Sequence, residues 1–90
     1  MNFRQLEYII AVDRHRNFKR ASIACDVAQS TLSKEIQRLE QEFDIIIFDR
    51  SRQPVIPTLK GIEIIEKAKE IRFQQREFIQ MALKEKNEIS

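Results

Sequence analysis

Mainly α-helical, with one short β-hairpin and a long final helix, is the fold class that this sequence predicts. Three observations carry it. Apolar residues recur at helical spacing from Phe3 to Arg16, around Ala21, and again from Ala28 to Phe43. Between residues 45 and 57 that period gives way to β-branched residues and two prolines. From Thr58 the helical period returns and holds to about Lys86 with no proline and a single glycine, Gly61, in the first turn.

In the first helix Phe3, Leu6, Ile9, Ile10 and Asp13 fall at helical spacing, and Tyr8, Ala11 and Val12 widen the apolar stripe. Asn17 follows the tetrad Asp13-Arg14-His15-Arg16 and is a good N-cap for a second, shorter helix. Phe18, Ala21, Ala24 and Cys25 give that helix an inner face of mostly small residues, open to close approach by another helix. Asp26-Val27-Ala28 reads as the turn, with Val27 buried beneath it. The third helix, residues 28–43, anchors itself through Leu32, Ile36, Leu39 and Phe43, and its opposite face carries Gln29, Ser33, Lys34, Gln37 and Arg38. Anchored on one side and polar on the other, such a helix fits a DNA major groove. Asp44 can take the left-handed conformation that ends it.

Two short helices joined by a three- to four-residue turn form a helix-turn-helix. Ile45-Ile46-Ile47-Phe48 and Val55-Ile56-Pro57 then read as two strands, with Asp49-Arg50-Ser51-Arg52-Gln53-Pro54 at the tip. Both prolines belong at strand ends or an edge. A hairpin here, over residues 46–57, is a wing. Residues 1–58 are therefore expected to form a winged helix-turn-helix of three helices plus a β-hairpin, and residues 59–90 a linker and dimerisation helix.

That last helix, capped by Thr58, is about 40 Å long at ~1.5 Å per residue, longer than a small domain can cover. Leu59, Ile62 and Ile65 are expected on the winged core. Ile64, Ala68, Ile71, Gln75, Phe78 and Ala82 follow at alternating steps of four and three, a heptad seam that calls for a partner helix. The seam is nearly palindromic about residue 73, pairing Ile64 with Ala82, Ala68 with Phe78 and Ile71 with Gln75. Antiparallel pairing sets small against large at each level, whereas parallel pairing would face Gln75 with itself. Phe73 lies off the seam, and contact with the partner's winged domain is one use for it.

Composition bounds the function classes. Ninety residues, 42% apolar, make one small domain or one domain plus an appendage, and disorder is not expected. The net charge of +2 is too small for a chain that coats nucleic acid indiscriminately, but residues 14–34 hold five cations against one acid, Asp26. Cys25 is the only cysteine, best read as a small buried apolar residue, and a reducing cytoplasm is the expected location. The segment after Met1 is charged and amphipathic, and no apolar run approaches the ~18–20 residues of a membrane span. His15 has no Cys or His at ligand spacing, so no metal is expected. The carboxylates are scattered, no Ser/His/Asp set exists and no glycine-rich loop is available, which excludes the enzyme classes that need them. No cofactor and no small-molecule site is expected within these residues.

Taken together, MNFRQLEYIIAV, NFKRASIACDVAQSTLSKEIQRLEQEF and IFDRSRQPVIPTLKG resemble the N-terminal DNA-binding domain and linker helix of a LysR-type transcriptional regulator. The resemblance implies a third helix in the major groove, a wing toward the minor groove or backbone, and linker helices paired antiparallel in a homodimer. By position, Gln29, Ser30, Thr31, Ser33 and Lys34 match the base- and phosphate-contacting start of the recognition helix. Arg50, Arg52 and Gln53 match the wing, and Thr58 the start of the linker helix. Arg38, one turn beyond Lys34, joins the DNA face or pairs with Glu35 or Glu42. Lys19 and Arg20 stand where the second helix's start would hold phosphates. The family usually has serine where this chain has Ala28, so Ser30 is expected to cap the helix and shift its start. It also carries a C-terminal effector-binding domain that these ninety residues do not contain. The expected function is sequence-specific binding of double-stranded DNA as a dimer, in transcriptional regulation. The alternative is a protein-interaction module that assembles with another regulator.

Overall fold

The structure, a computed structural model, describes the backbone of residues 1–88 and the side chains of residues 1–84. It is a winged helix-turn-helix with a long final helix: α1 (Phe3–His15), α2 (Phe18–Ala24), α3 (Gln29–Phe43), β1 (Phe48–Asp49), β2 (Ile56–Pro57) and α4 (Leu59–Glu88). Helix α1 packs against α2, α3 and α4, and the core between them is built from Leu6, Ile9, Val12, Leu32, Ile36 and Ile65 among others.

Each helix starts and stops for a local reason. Asn2 caps α1: its side chain accepts from the Gln5 backbone N–H at 2.8 Å, and the Gln5 side chain accepts from the Asn2 N–H at 3.0 Å, a reciprocal capping box. Arg16 ends α1 in a left-handed conformation with its N–H on the Val12 carbonyl. Asn17 caps α2 as its position implied, accepting from the Arg20 N–H at 2.8 Å. Over seven residues only one face of α2 can be buried, and it is the Phe18, Ala21, Ser22 and Cys25 face. Ala24, expected inward, falls about 60° off Ala21 on the far side of that stripe and is exposed. Val27 is half-buried under the turn and Asp26 takes a left-handed φ of 56°.

Helix α3 buries Leu32, Ile36 and Leu39, but Phe43 is exposed. It is the last helical residue before Asp44, which adopts the left-handed conformation expected of it (φ 52°). The helix does not shift its start to Ser30: it begins at Gln29 with Ala28 as an N-cap that offers no side-chain hydrogen bond.

The wing ladder is shorter than the apolar run that announces it, pairing only Phe48 with Pro57 and Asp49 with Ile56. Residues 45–47 run in unpaired. Two of their amides are satisfied by α3, Ile45 N–H on the Glu40 carbonyl (2.9 Å) and Ile47 N–H on the Glu40 carboxylate (2.8 Å). Pro57 fits a two-stranded ladder because both strands are edges. The return strand is tied to α1 by the Val55 N–H on the Arg16 carbonyl at 3.1 Å.

Thr58 caps α4 by accepting from the Gly61 N–H at 2.9 Å while its hydroxyl donates to the Ile46 carbonyl. Gly61 sets how the helix is rolled. A Cβ there would lie 2.0 Å from the Ile47 carbonyl oxygen, so only a glycine face can rest on the wing base. That contact turns Gly61, Ile65 and Ala68 inward and rotates Leu59 and Ile62 out, against the expectation that both would pack on the core; Leu59 is 87% exposed. The seam is corrected at the same point. Ala68, assigned to a partner helix, is 1% exposed within the single chain, and Ile64 and Ile71 pack partly on the same core. Beyond Arg72 the stripe continues as Gln75, Phe78, Ile79, Ala82 and Leu83, and none of the described residues covers Phe78, which is 68% exposed.

Candidate nucleic-acid interface

The first turn of α3 is polar and exposed: Gln29, Ser30, Thr31 and Lys34 all face solvent. The first N–H groups of a helix have no intrahelical partner, and with no cap from Ala28 they remain free to meet an acceptor from outside. Among the described residues Lys34 makes no ion pair, nor do Lys19 and Arg20, both exposed in the first turn of α2. Arg38 takes the other course open to it and pairs with Glu35 at 2.8 Å. Glu35 also receives the Gln5 side-chain amide at 3.3 Å, so this pair is tied back to α1.

One side chain draws the second helix, the recognition helix and the wing together. The Arg50 guanidinium lies 4.4 Å from the centre of the Phe18 ring, its Nη1 donates to Ser33 Oγ at 2.6 Å, and its Nη2 approaches Glu40 Oε1 at 3.7 Å. Phe18 in turn meets Phe48 edge-to-face, with ring centres 6.1 Å apart. Thus the turn bearing Lys19 and Arg20, the second turn of α3 and the first wing strand are adjacent. Glu40 sits beneath them, buried, and was missed in the sequence. The signal available was an acid at 40 next to Leu39, on the buried side of an amphipathic helix.

At the wing tip Arg52 and Gln53 are exposed. Arg52 reaches Asp49 at 3.6 Å, a loose surface pair. The Ser51 hydroxyl and backbone N–H both donate to Asp49 and hold its carboxyl below the usual carboxylate range, with Arg52 adding to the effect. Thr58 stands apart from this face, its hydroxyl engaged in the α4 cap. Ile64, Ala68 and Ile71 are elsewhere too, lining with Leu6, Leu39 and Phe43 an apolar cleft of about 160 Å³. Burial raises the pKa of the Cys25 thiol, and nearby Glu7 adds to it, so the protonated form is favoured at neutral pH. No group of three His, Cys, Asp or Glu side chains among the described residues is placed to hold a metal ion, and no helix among them is long and apolar enough to cross a membrane.

Known proteins share this arrangement. A family described as "Bacterial regulatory helix-turn-helix protein, lysR family" matches residues 3–62. The hydrogen peroxide-inducible genes activator of Pectobacterium carotovorum subsp. carotovorum is 39% identical over 71 residues, 79% of this chain and 24% of the relative. The DNA-binding transcriptional dual regulator OxyR of Escherichia coli (strain K12) is 38% identical over 71 residues, 79% of this chain and 23% of its own. The chain thus spans about a quarter of the length of these curated relatives. Among solved structures, the BenM DBD in complex with catB site 1 DNA superposes with a TM-score of 0.95 at 28% identity, covering 100% of this chain and 97% of that one. Full-length OxyR from Pseudomonas aeruginosa gives a TM-score of 0.88 at 32% identity over 92% of this chain and 28% of that one. These relatives are transcriptional regulators rather than enzymes. The matched helices, wing and start of the long helix place this chain in the lysR family of bacterial regulatory helix-turn-helix proteins.

Proposed function

We propose that the chain binds double-stranded DNA sequence-specifically as a homodimer and serves transcriptional regulation. The observation that carries this reading is the uncapped, solvent-facing first turn of α3, with Gln29, Ser30, Thr31 and the unpaired Lys34 projecting from a helix whose other face is anchored in the core. In the major groove Gln29 is suited to the N6/N7 edge of adenine and Lys34 to the O6/N7 edge of guanine. Lys19 and Arg20 supply phosphate contacts that set register, and Arg52 and Gln53 carry the wing to the minor groove or backbone. The close superposition on the BenM DBD in complex with catB site 1 DNA supports the same reading.

Dimerisation follows from α4. A stripe containing Phe78, Ile79, Ala82 and Leu83 leaves the domain uncovered, and an isolated helix does not hold such a stripe in water. Antiparallel pairing of two copies brings Phe78 of one to the rim of the other's 160 Å³ apolar cleft, where Ile64 and Ile71 are only partly buried. A two-fold axis there presents two recognition helices to two half-sites.

Selection of bound duplexes from a randomised pool by the purified chain, followed by footprinting, tests the reading. Enrichment of one motif repeated with two-fold symmetry is expected. A pool that stays random, or a single unrepeated motif, overturns the specific or the dimeric part respectively.

A further inference from the structure

We propose that Arg50 is a positioning residue for sequence readout: it clamps the wing to the recognition helix through Ser33 and does not neutralise a DNA phosphate. The inference deepens the proposed DNA-binding reading and rests on it. An arginine at the base of a basic wing invites assignment to the DNA backbone, but its surroundings point elsewhere. Its side chain is 31% exposed, against 68% for Arg52 at the tip. Three partners hold it on three sides. Ser33 Oγ accepts from Nη1 at 2.6 Å, the Phe18 ring lies under the guanidinium at 4.4 Å, and Glu40 Oε1 faces Nη2 at 3.7 Å.

Reaching out to a phosphate would undo all three. It would also strip the cation from Glu40, whose side chain is 9% exposed and whose other oxygen accepts the Ile47 N–H; a buried carboxylate left without its cation is strongly unfavourable. Nη2 is itself buried and makes no hydrogen bond among the described residues, so the end of the guanidinium that faces Glu40 is turned inward rather than poised at the surface. What the clamp fixes is the roll of α3 relative to the wing. Ser33 is adjacent to Lys34 and one turn beyond Gln29, so tethering its Oγ to Arg50, just past β1, sets the direction in which those side chains leave the helix. A planar guanidinium can stack on a ring and bond sideways at once, which an ammonium group cannot.

The test uses the whole chain with Arg50→Gln and Arg50→Lys, each well below its unfolding midpoint. Affinity is titrated on the selected duplex and on a scrambled duplex between about 50 and 200 mM salt. Both variants are expected to lose about tenfold in the selected-to-scrambled ratio, while the salt slope on scrambled DNA matches the parent's. A phosphate contact predicts the reverse: Arg50→Gln lowers the slope by about one unit with the ratio intact, and Arg50→Lys restores it. That result overturns the inference. A parent chain that does not discriminate the two duplexes overturns the sequence-specific reading itself, visibly in a separate arm. Without DNA, hydrogen exchange at the Phe48 and Val55 amides should quicken about tenfold in both Arg50→Gln and Ser33→Ala; unchanged exchange in both variants also overturns the clamp.

Discussion

Lys34 stands next to the residue that Arg50 holds, and it meets no anion of its own among the described residues. Replacing it tests base readout directly. Lys34→Ala is expected to cost about 1–3 kcal/mol on the selected site and to relax preference at one base position. Equal affinity and an unchanged selected motif would remove Lys34 from the interface. Gly61 poses a different question, since its role is steric. With a Cβ only 2.0 Å from the Ile47 carbonyl oxygen, Gly61→Ala must push the wing base or α4 aside, at about 2–3 kcal/mol. The denaturant midpoint measures it, and an unchanged midpoint would contradict the contact. The polar start of α3 was legible because exposure there follows from helical period alone. Glu40 and Gly61 were not, because their partners, the Ile47 amide and carbonyl, lie 7 and 14 positions away across a junction that no periodicity describes.

At the scale of elements, the caps decide where short helices form. A seven-residue helix such as α2 is marginal by itself, so Asn17→Ala should lower stability by roughly 1 kcal/mol. It should also loosen the turn that carries Lys19 and Arg20. Urea unfolding reads the first effect, and a midpoint within error of the parent would show that the Asn17 cap contributes nothing. Helix number and order were readable from apolar spacing, and Asn17 and Asp44 marked two ends through their own side-chain and backbone preferences. Phase was less readable. Ala24 and Leu59 each lie on the correct helix but the wrong face, because the direction a helix turns inward depends on what it touches, Phe48 by way of Phe18 in one case and the wing base in the other. The wing strands were overdrawn for the opposite reason. Ile45 to Ile47 have strand composition, yet α3 supplies partners for the Ile45 and Ile47 amides through Glu40.

For the whole molecule, a winged core with a helix projecting beyond it gives principal extents of 55 × 24 × 20 Å. The first half of α4 belongs to the core through Ile65 and Ala68, and the second half stands clear of it. A periodic seam could not reveal that division, since the same face of the helix serves both halves. Phe78→Asp should therefore abolish the dimer while leaving the monomer folded, because none of the described residues covers Phe78. The expected dimer dissociation constant rises by about a hundredfold or more, as for a central apolar anchor. Sedimentation equilibrium reads it, and a dimer of parental strength would place the partner on another face. The central claim is that the first turn of α3 chooses a sequence rather than merely carrying charge. Its most direct measurement is the ratio of affinities for the selected duplex and a scrambled duplex of the same length, at physiological salt. A ratio of about a thousandfold or more is expected; a ratio within about tenfold would leave only the nonspecific charge attraction common to basic proteins and would contradict the claim.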